Sequence, residues 1–158
     1  MAEAITQAEE HKDLVRRVSF GTYEGTEDID IIDELVSDDF VLHQIPAVVA
    51  PGREFRGPEG LKEHVEMAHS LFSDFSYTFE EMIAEGDIVA TRFTQRGVFV
   101  ETPPGFDVEV TGEEFEGEAM EFDRIEDGKL VESWFIFDGL GLLDHLGIQS
   151  VDELLGGQ

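Results

Sequence analysis

The sequence contains no cysteine, few basic residues and no long apolar run. Without cysteine, the protein can form no disulfide, use no thiolate nucleophile and bind no cysteine-ligated zinc. No apolar stretch approaches the roughly 18 residues that a membrane-spanning helix needs. The first residues, MAEAITQAEEHKD, are acidic and lack the apolar segment of a secretory signal. These absences favour a cytoplasmic protein without a membrane partner.

Basic residues are scarce in comparison with acidic ones. Lysine and arginine together number 10, against 37 aspartates and glutamates, so the net charge is −27. We expect no nucleic-acid partner, because no basic patch could neutralise a phosphate backbone. Hydrophobic residues still make up 41% of the chain, which argues against disorder. An apolar core under a dense acidic surface is typical of halophilic proteins, in which salt screens the repulsion between like charges.

The 158 residues fit one domain, and the order of the predicted elements indicates an α+β fold. Apolar periodicity predicts helices at residues 4–20 and 28–36 and a third that begins at Pro58. A strand is predicted at 38–46, and a loop at 47–57. Four antiparallel strands follow, at residues 75–84, 87–99, 115–125 and 129–138, before a short apolar turn or helix. Helices that precede a curved sheet pack on one of its faces and can enclose a pocket.

A tight hairpin is predicted between the last two strands, because Asp127-Gly128 is a strong turn signal. With these two residues as the turn, Trp134 lies opposite Glu121. One face of the hairpin then combines small, aromatic and carboxylate side chains, as a small-molecule pocket requires. Its members are Asp138, Ile136, Trp134, Glu132, Gly117, Ala119, Glu121 and Asp123. A β-bulge would shift this register by one residue.

The opposite face of the same hairpin is uniformly apolar. Its members are Val131, Phe135, Phe137, Met120 and Phe122. We expect this face to be buried against another layer or against a partner subunit. If no helix covers it, an exposed apolar patch usually marks an interface, so we predict a homodimer built on the sheet.

Four segments resemble one known family. The C-terminal segment GKLVESWFIFDGLGLLDHLG is similar to the signature of SnoaL-like proteins, the polyketide cyclase branch of the NTF2-like superfamily. That signature runs roughly G-K-[IL]-x-E-x-W-x-x-x-D-x-x-G-L-x-x-Q-L-G. Upstream, DDFVLH, FRGPEGLKEHV and AEGDIVATRFTQRG resemble family segments in the same order. The resemblance spans about residues 11–148. It implies one domain over 1–158: a cone-shaped NTF2-like barrel, with N-terminal helices packed on a curved, mostly antiparallel sheet around a pocket, often as a homodimer.

The resemblance also implies a function. In the cyclases, the aspartate at the position of Asp138 is the general acid/base of an aldol closure that uses no metal or organic cofactor. We therefore expect chemistry next to a carbonyl group, by aldol cyclisation, isomerisation or dehydration, on a small hydrophobic carbonyl-containing molecule. One alternative is a non-catalytic NTF2-like ligand-binding module, and another is an epoxide hydrolase-like member. The histidines show no metal-ligand spacing, so no metal is expected.

Two residues are candidate catalytic groups. Asp138 would take or give the proton, and its structural alternative is a cap on the turn at Gly139–Leu142. His43 would steady the developing enolate oxygen, and its alternative is a core histidine with satisfied hydrogen bonds.

Five further residues are candidate substrate-binding groups, namely Tyr23, Arg92, Glu121, Trp134 and Ile136. Arg92 could orient a carbonyl or pair with the acidic surface around it. Glu121 could be a second carboxylate of the pocket or a solvated surface group. Tyr23 could reach the cavity mouth. His64 and His69, on the third helix, are expected to be packing or half-exposed residues.

Overall fold

A computed structural model describes residues 2–44, 54–103, 107–148 and 156. The helices are α1 (Ala2–Val15), a π-helix (Arg16–Gly21), α2 (Thr22–Glu24), α3 (Ile31–Leu35), α4 (Gly57–Leu71) and α5 (Gly139–His145). The strands are β1 (Val36–Gln44), β2 (Glu54–Arg56), β3 (Phe72–Glu85), β4 (Ile88–Phe99), β5 (Glu114–Glu126) and β6 (Lys129–Phe137). Within these ranges, every helix is too short or too polar to span a membrane.

The six strands of the described residues form one curved sheet in the order β2-β1-β6-β5-β4-β3. Strands β3 to β6 are antiparallel neighbours, and β1 runs parallel to β6. The predicted α+β class and the curved, mostly antiparallel sheet are therefore confirmed. The predicted loop at 47–57 is wrong in part, because residues 54–56 pair with β1 as a short strand. Residues 45–53 lie outside the described residues.

The hydrophobic core lies between the helices and the inner face of the sheet. Helix α4 contributes Leu61, Val65 and Ala68, which share one side of the helix because they are spaced by four and three residues. Phe93 of β4 and Leu130 of β6 are almost fully buried from the sheet side. Burial of each large side chain contributes about 1.5–3 kcal/mol. The core therefore forms where helix α4 packs on the inner face of the sheet.

One extra residue in β6 changes the register of the last hairpin. Ile125 pairs with Leu130 beside the predicted turn, whereas Arg124 pairs with Glu132. Val131 is thus a bulged residue without a partner in β5. Every later pair of β5 and β6 is shifted by one residue, so the register predicted from the turn alone is wrong beyond the bulge.

The shift exchanges the two faces of β6. Phe135 and Phe137 lie on the inner face, where Glu121 of β5 also lies. Trp134 and Ile136 lie on the outer face, away from the helices. The predicted pocket face is therefore wrong for the β6 residues. The predicted outer patch of Phe135 and Phe137 is wrong for the same reason.

Two glycines let phenylalanine rings approach the sheet backbone. A Cβ atom on Gly117 would lie 2.6 Å from the ring of Phe137, and one on Gly97 would lie 2.7 Å from the ring of Phe115. Both distances are well below ordinary contact. The absence of a side chain at these positions therefore allows both rings to line the inner face.

Candidate functional site

A cavity of about 430 Å³ lies between the helices and the inner face of the sheet. Its volume is in the range of pockets that bind small molecules. The walls are mostly phenylalanine and aliphatic side chains, among them Phe20, Phe55, Phe93, Phe115, Phe135 and Phe137. The polar groups of the described lining are Ser19, Tyr23, Gln44, His64, Tyr77, Gln95 and Glu121. The cavity therefore suits a largely apolar ligand with a few polar atoms.

Two carboxyl groups are buried on the inner face of β5. Glu121 and Asp123 are two residues apart, so the alternation of the strand places them on the same face. Glu121 lines the cavity, and Asp123 has no exposed surface. Oδ1 of Asp123 accepts hydrogen bonds from the hydroxyls of Ser133 at 2.5 Å and Ser19 at 3.3 Å. Oδ2 is also buried, and the carboxyl groups of Asp123 and Glu121 are close enough to share a hydrogen bond when one of them is protonated.

Burial raises the pKa of both carboxyl groups. Desolvation is the main cause for Glu121, and the nearby Asp123 carboxylate raises the pKa of Glu121 further, to well above its usual range. Desolvation raises the pKa of Asp123 to about 6, although hydrogen bonds, first that from Ser133, favour its anion. Burial therefore favours the protonated form of each carboxyl group. Such a pair can both give and take a proton.

Two tyrosine hydroxyls belong to the same cavity. Desolvation raises the pKa of Tyr23 and of Tyr77 well above the usual value, and the charge of Glu121 adds to both shifts. Both side chains are therefore neutral at physiological pH and can donate hydrogen bonds. The ring of Tyr77 packs edge-on against Phe20 and Phe93, which fixes its orientation in the wall.

His64 connects two other polar groups of the lining. Its Nε2 lies 2.5 Å from Nε2 of Gln44, and its Nδ1 lies 2.5 Å from the hydroxyl oxygen of Tyr23. The expectation that His64 is a packing or half-exposed residue is thus incomplete, because the side chain also lines the cavity. Its place on the helix is a usable signal: residue 64 follows Leu61 by three positions and precedes Ala68 by four, within the buried stripe of α4.

Asp138 lies outside the cavity lining. Its side chain is exposed, and Oδ1 accepts a hydrogen bond of 2.9 Å from the backbone N–H of Gly141 at the start of α5. Gly141 leaves the space that this carboxylate occupies. This geometry is that of a helix N-cap, the structural alternative to a catalytic role for Asp138. It does not place Asp138 where a ligand in the cavity would bind.

His43 and Trp134 lie together on the outer face of the sheet. Their rings stack with centroids 5.5 Å apart, and Nε2 of His43 lies 2.7 Å from a carboxylate oxygen of Glu132. Hydrogen bonds to Arg124 and His43 lower the pKa of Glu132. Neither His43 nor Trp134 lines the cavity. The expected pocket position of both is wrong because the strand alternation directs them outward.

Arg92 and Ile136 lie on this outer face as well. Arg92 makes ion pairs with Glu118 at 3.0 Å and Glu81 at 3.3 Å. It therefore pairs with the acidic surface, which was the alternative to orienting a substrate carbonyl. Ile136 is half exposed. Of the predicted site residues, the structure thus brings only Tyr23 and Glu121 to the cavity. In the described ranges, no three histidine or acidic side chains are arranged to hold a metal ion.

Comparisons with known proteins agree with this architecture. The sequence profile of the SnoaL-like polyketide cyclases matches residues 14–146. IdmH, a candidate polyketide cyclase from Streptomyces antibioticus, is 30% identical; the match covers 87% of this chain and 98% of that one, with a TM-score of 0.70. A candidate polyketide cyclase from Acidithiobacillus ferrooxidans is 25% identical, over 89% of this chain and 96% of that one, with a TM-score of 0.68.

A third solved structure shows the fold alone. AclR, a candidate hydroxylase from Streptomyces galilaeus, is 23% identical over 90% of this chain and 88% of that one, with a TM-score of 0.70. No curated protein matches the chain in sequence.

Proposed function

Because this chain belongs to the SnoaL-like polyketide cyclase family, we propose that it is a small-molecule enzyme whose acid/base centre is the buried pair Glu121 and Asp123. The reaction is proton transfer at a carbon next to a carbonyl group, without a cofactor. The observation that carries the proposal is a carboxyl group, Glu121, at the wall of an apolar cavity with a second carboxyl group, Asp123, buried beside it, both with raised pKa values. Burying two such groups is costly, and binding an apolar ligand does not require it.

The substrate class follows from the lining. Phenylalanine walls favour a flat or aliphatic carbon skeleton, and the volume limits its size. Protonated tyrosine hydroxyls can donate to a carbonyl oxygen, which is the polar group that the proposed chemistry requires. A small hydrophobic carbonyl-containing molecule meets both conditions.

The proposed steps use a proton that Glu121 and Asp123 share through their mutual hydrogen bond. When Glu121 passes its proton to Asp123, the Glu121 carboxylate faces the cavity as a base. It takes a proton from the carbon next to the carbonyl group, and the C–H electron pair moves to give an enolate. A tyrosine hydroxyl stabilises the enolate oxygen. In an aldol closure, the enolate carbon attacks a second carbonyl carbon of the same molecule, and the new alkoxide takes the proton back from Glu121.

Deuterium exchange tests this proposal without knowledge of the natural substrate. The probe is 2-tetralone, an apolar bicyclic ketone with acidic protons next to its carbonyl group, in D2O. An enzyme exchanges these protons faster than buffer does, and mass spectrometry measures the exchange. A non-catalytic binding module with the same cavity binds the ketone but leaves the exchange rate at that of buffer.

We also propose that the outer face of the sheet joins two copies of the chain. A row of cross-strand neighbours, Ile83, Ala90, Phe122 and Trp134, crosses four strands there. Met120 and Ile136 form a second pair, and both are about half exposed. Arginines on the same face are ion-paired with acids, which lowers the local charge on an otherwise strongly negative chain. A second copy could therefore approach here with less repulsion than elsewhere.

A further inference from the structure

We propose that Gln44, His64 and Tyr23 form a one-way chain of hydrogen bonds that directs the hydroxyl proton of Tyr23 at the ligand's carbonyl oxygen. Tyr23 is then the donor that stabilises the enolate, and Gln44 and His64 are positioning residues. The inference deepens the proposed function and rests on it for the identity of the ligand oxygen. Its geometry stands on three side chains from β1, α4 and α2 that all line the cavity.

The direction of the chain follows from the amide of Gln44. The structure assigns the amide nitrogen of Gln44, which can only donate, to the position 2.5 Å from Nε2 of His64. Nε2 of the neutral imidazole is therefore the acceptor, and the ring proton lies on Nδ1. Nδ1–H then donates to the Tyr23 oxygen, 2.5 Å away. This leaves the hydrogen of the Tyr23 hydroxyl for a partner in the cavity.

Ring packing holds the imidazole in this orientation. Phe55 contacts His64 edge-on with centroids 4.7 Å apart, and the ring of Tyr23 does so at 5.6 Å. The backbone carbonyl of Tyr23 accepts a hydrogen bond of 2.9 Å from Nε2 of His69, five residues further along α4. Tyr23 is thus attached to α4 at both its backbone and its side chain. The donor is held in place before a ligand binds, which is what transition-state stabilisation requires.

The chain of hydrogen bonds also makes the Tyr23 hydroxyl a better donor to a charged oxygen than to a neutral one. A hydroxyl whose oxygen accepts a hydrogen bond is polarised and donates more strongly. Burial keeps Tyr23 protonated, because desolvation raises its pKa. The gain is larger for the enolate oxygen than for the carbonyl oxygen, since hydrogen bonds to charged groups are the stronger ones. The contact therefore favours the enolate over the ketone.

Two aromatic probes separate this role from a structural one. 2-Naphthol has the shape of the enol of 2-tetralone, and naphthalene has the same shape without the oxygen. Fluorescence titration should show that Tyr23→Phe weakens the binding of 2-naphthol about tenfold, the loss of roughly one hydrogen bond. Gln44→Met and His64→Leu should each weaken the binding of 2-naphthol several-fold. Combined with Tyr23→Phe in a double variant, neither should weaken this binding much further. Naphthalene should bind all four proteins equally.

Nitrogen-15 NMR of the wild-type imidazole tests the direction itself. The expected state of His64 at neutral pH is the neutral tautomer with the proton on Nδ1, and Gln44→Met should reduce that preference. A proton on Nε2 in the wild type overturns the proposal even if every variant misfolds. Equal binding of 2-naphthol to wild type and folded Tyr23→Phe also overturns it. If the tautomer and the naphthol preference hold but 2-tetralone does not exchange, the chain of hydrogen bonds stands and the proposed enzymatic function fails.

Discussion

Ser133 lies directly opposite Asp123 in the β5–β6 hairpin, and its hydroxyl donates a hydrogen bond of 2.5 Å to Oδ1 of Asp123. The bulge at Val131 produces this pair. Continued without the bulge, the turn register would place Glu132 opposite Asp123, and like charges opposite each other destabilise a sheet. The extra residue thus replaces a carboxylate with a hydroxyl donor beside the buried acid. It also directs Glu132 outward to Arg124 and His43.

The first prediction concerns the dependence of stability on pH. The pKa of Asp123 is raised from 3.8 to about 6 in the folded state, so between these pH values the folded chain binds more protons than the unfolded chain. The stabilising contribution is fully present below about pH 4 and is lost as the pH rises through about 6, with a slope of at most roughly 1.4 kcal/mol per pH unit. The raised pKa of Glu121 acts in the same direction.

Urea unfolding of wild type and Asp123→Asn in high salt measures this effect. The free energy of unfolding of the wild type, minus that of Asp123→Asn, should decrease as the pH rises from 4 to 7. Asp39→Asn removes one exposed carboxylate of β1 and controls for the change in net charge. A difference between wild type and Asp123→Asn that is constant or increases with pH would contradict the burial account.

The second prediction concerns Asp138 as a helix cap. Asp138→Ala should lower the free energy of unfolding by about 0.5–2 kcal/mol, because the N–H of Gly141 loses its acceptor. Asp138→Asn should restore most of that loss, since an amide oxygen can also accept. Urea unfolding compares the three proteins at one salt concentration. Equal free energies of unfolding for wild type and Asp138→Ala would show that the cap does not stabilise the protein.

The third prediction concerns salt. A chain with a net charge of −27 repels itself, and the Debye length falls from about 30 Å at 0.01 M salt to about 3 Å at 1 M. The melting temperature should therefore rise with KCl concentration over this range. Calorimetry is the measurement. A melting temperature that does not change between low and molar KCl would remove the halophilic interpretation.

The fourth prediction concerns the outer face of the sheet. Sedimentation equilibrium in high salt should give twice the mass of the chain for wild type. Ile136→Lys should shift the equilibrium to monomer, because it places a charge in the half-exposed apolar patch. Leu140→Lys is the matched control, since Leu140 is exposed and belongs to α5 rather than to a strand of that face. If the wild type is a monomer, or if Ile136→Lys leaves the dimer intact, the outer face of the sheet is not the interface.

The fold was predictable from the sequence because its signals are local. Helical spacing marks α1 and α4, and Asp127-Gly128 marks the last turn. The register beyond that turn depends on one bulged residue, Val131, which no local pattern reveals. A shift of one residue in a strand with period two moves every side chain to the other face. The positions predicted for Trp134 and Ile136 failed for this reason alone.

The site was harder to predict because polarity is misleading in β5. Glu121 and Asp123 alternate with Met120 and Phe122, and the sequence left open whether Glu121 belongs to the pocket or to a solvated surface, while it assigned the apolar pair to a buried face. The structure buries the two acids and leaves Met120 and Phe122 half exposed on the outer face. Tertiary contacts alone show that Ser133 from β6 and Ser19 from the π-helix supply the hydrogen bonds that allow Asp123 to be buried.

Exchange of deuterium into 2-tetralone by wild type, Glu121→Gln and Asp138→Asn tests the central claim most directly. Naphthalene binding confirms that each variant keeps the cavity. If the carboxyl pair of β5 is the acid/base centre, Glu121→Gln should lower the catalysed rate by about 100-fold or more, and Asp138→Asn should keep nearly all of it. A folded Glu121→Gln protein that exchanges at the wild-type rate, or an Asp138→Asn protein that no longer exchanges, would contradict the account.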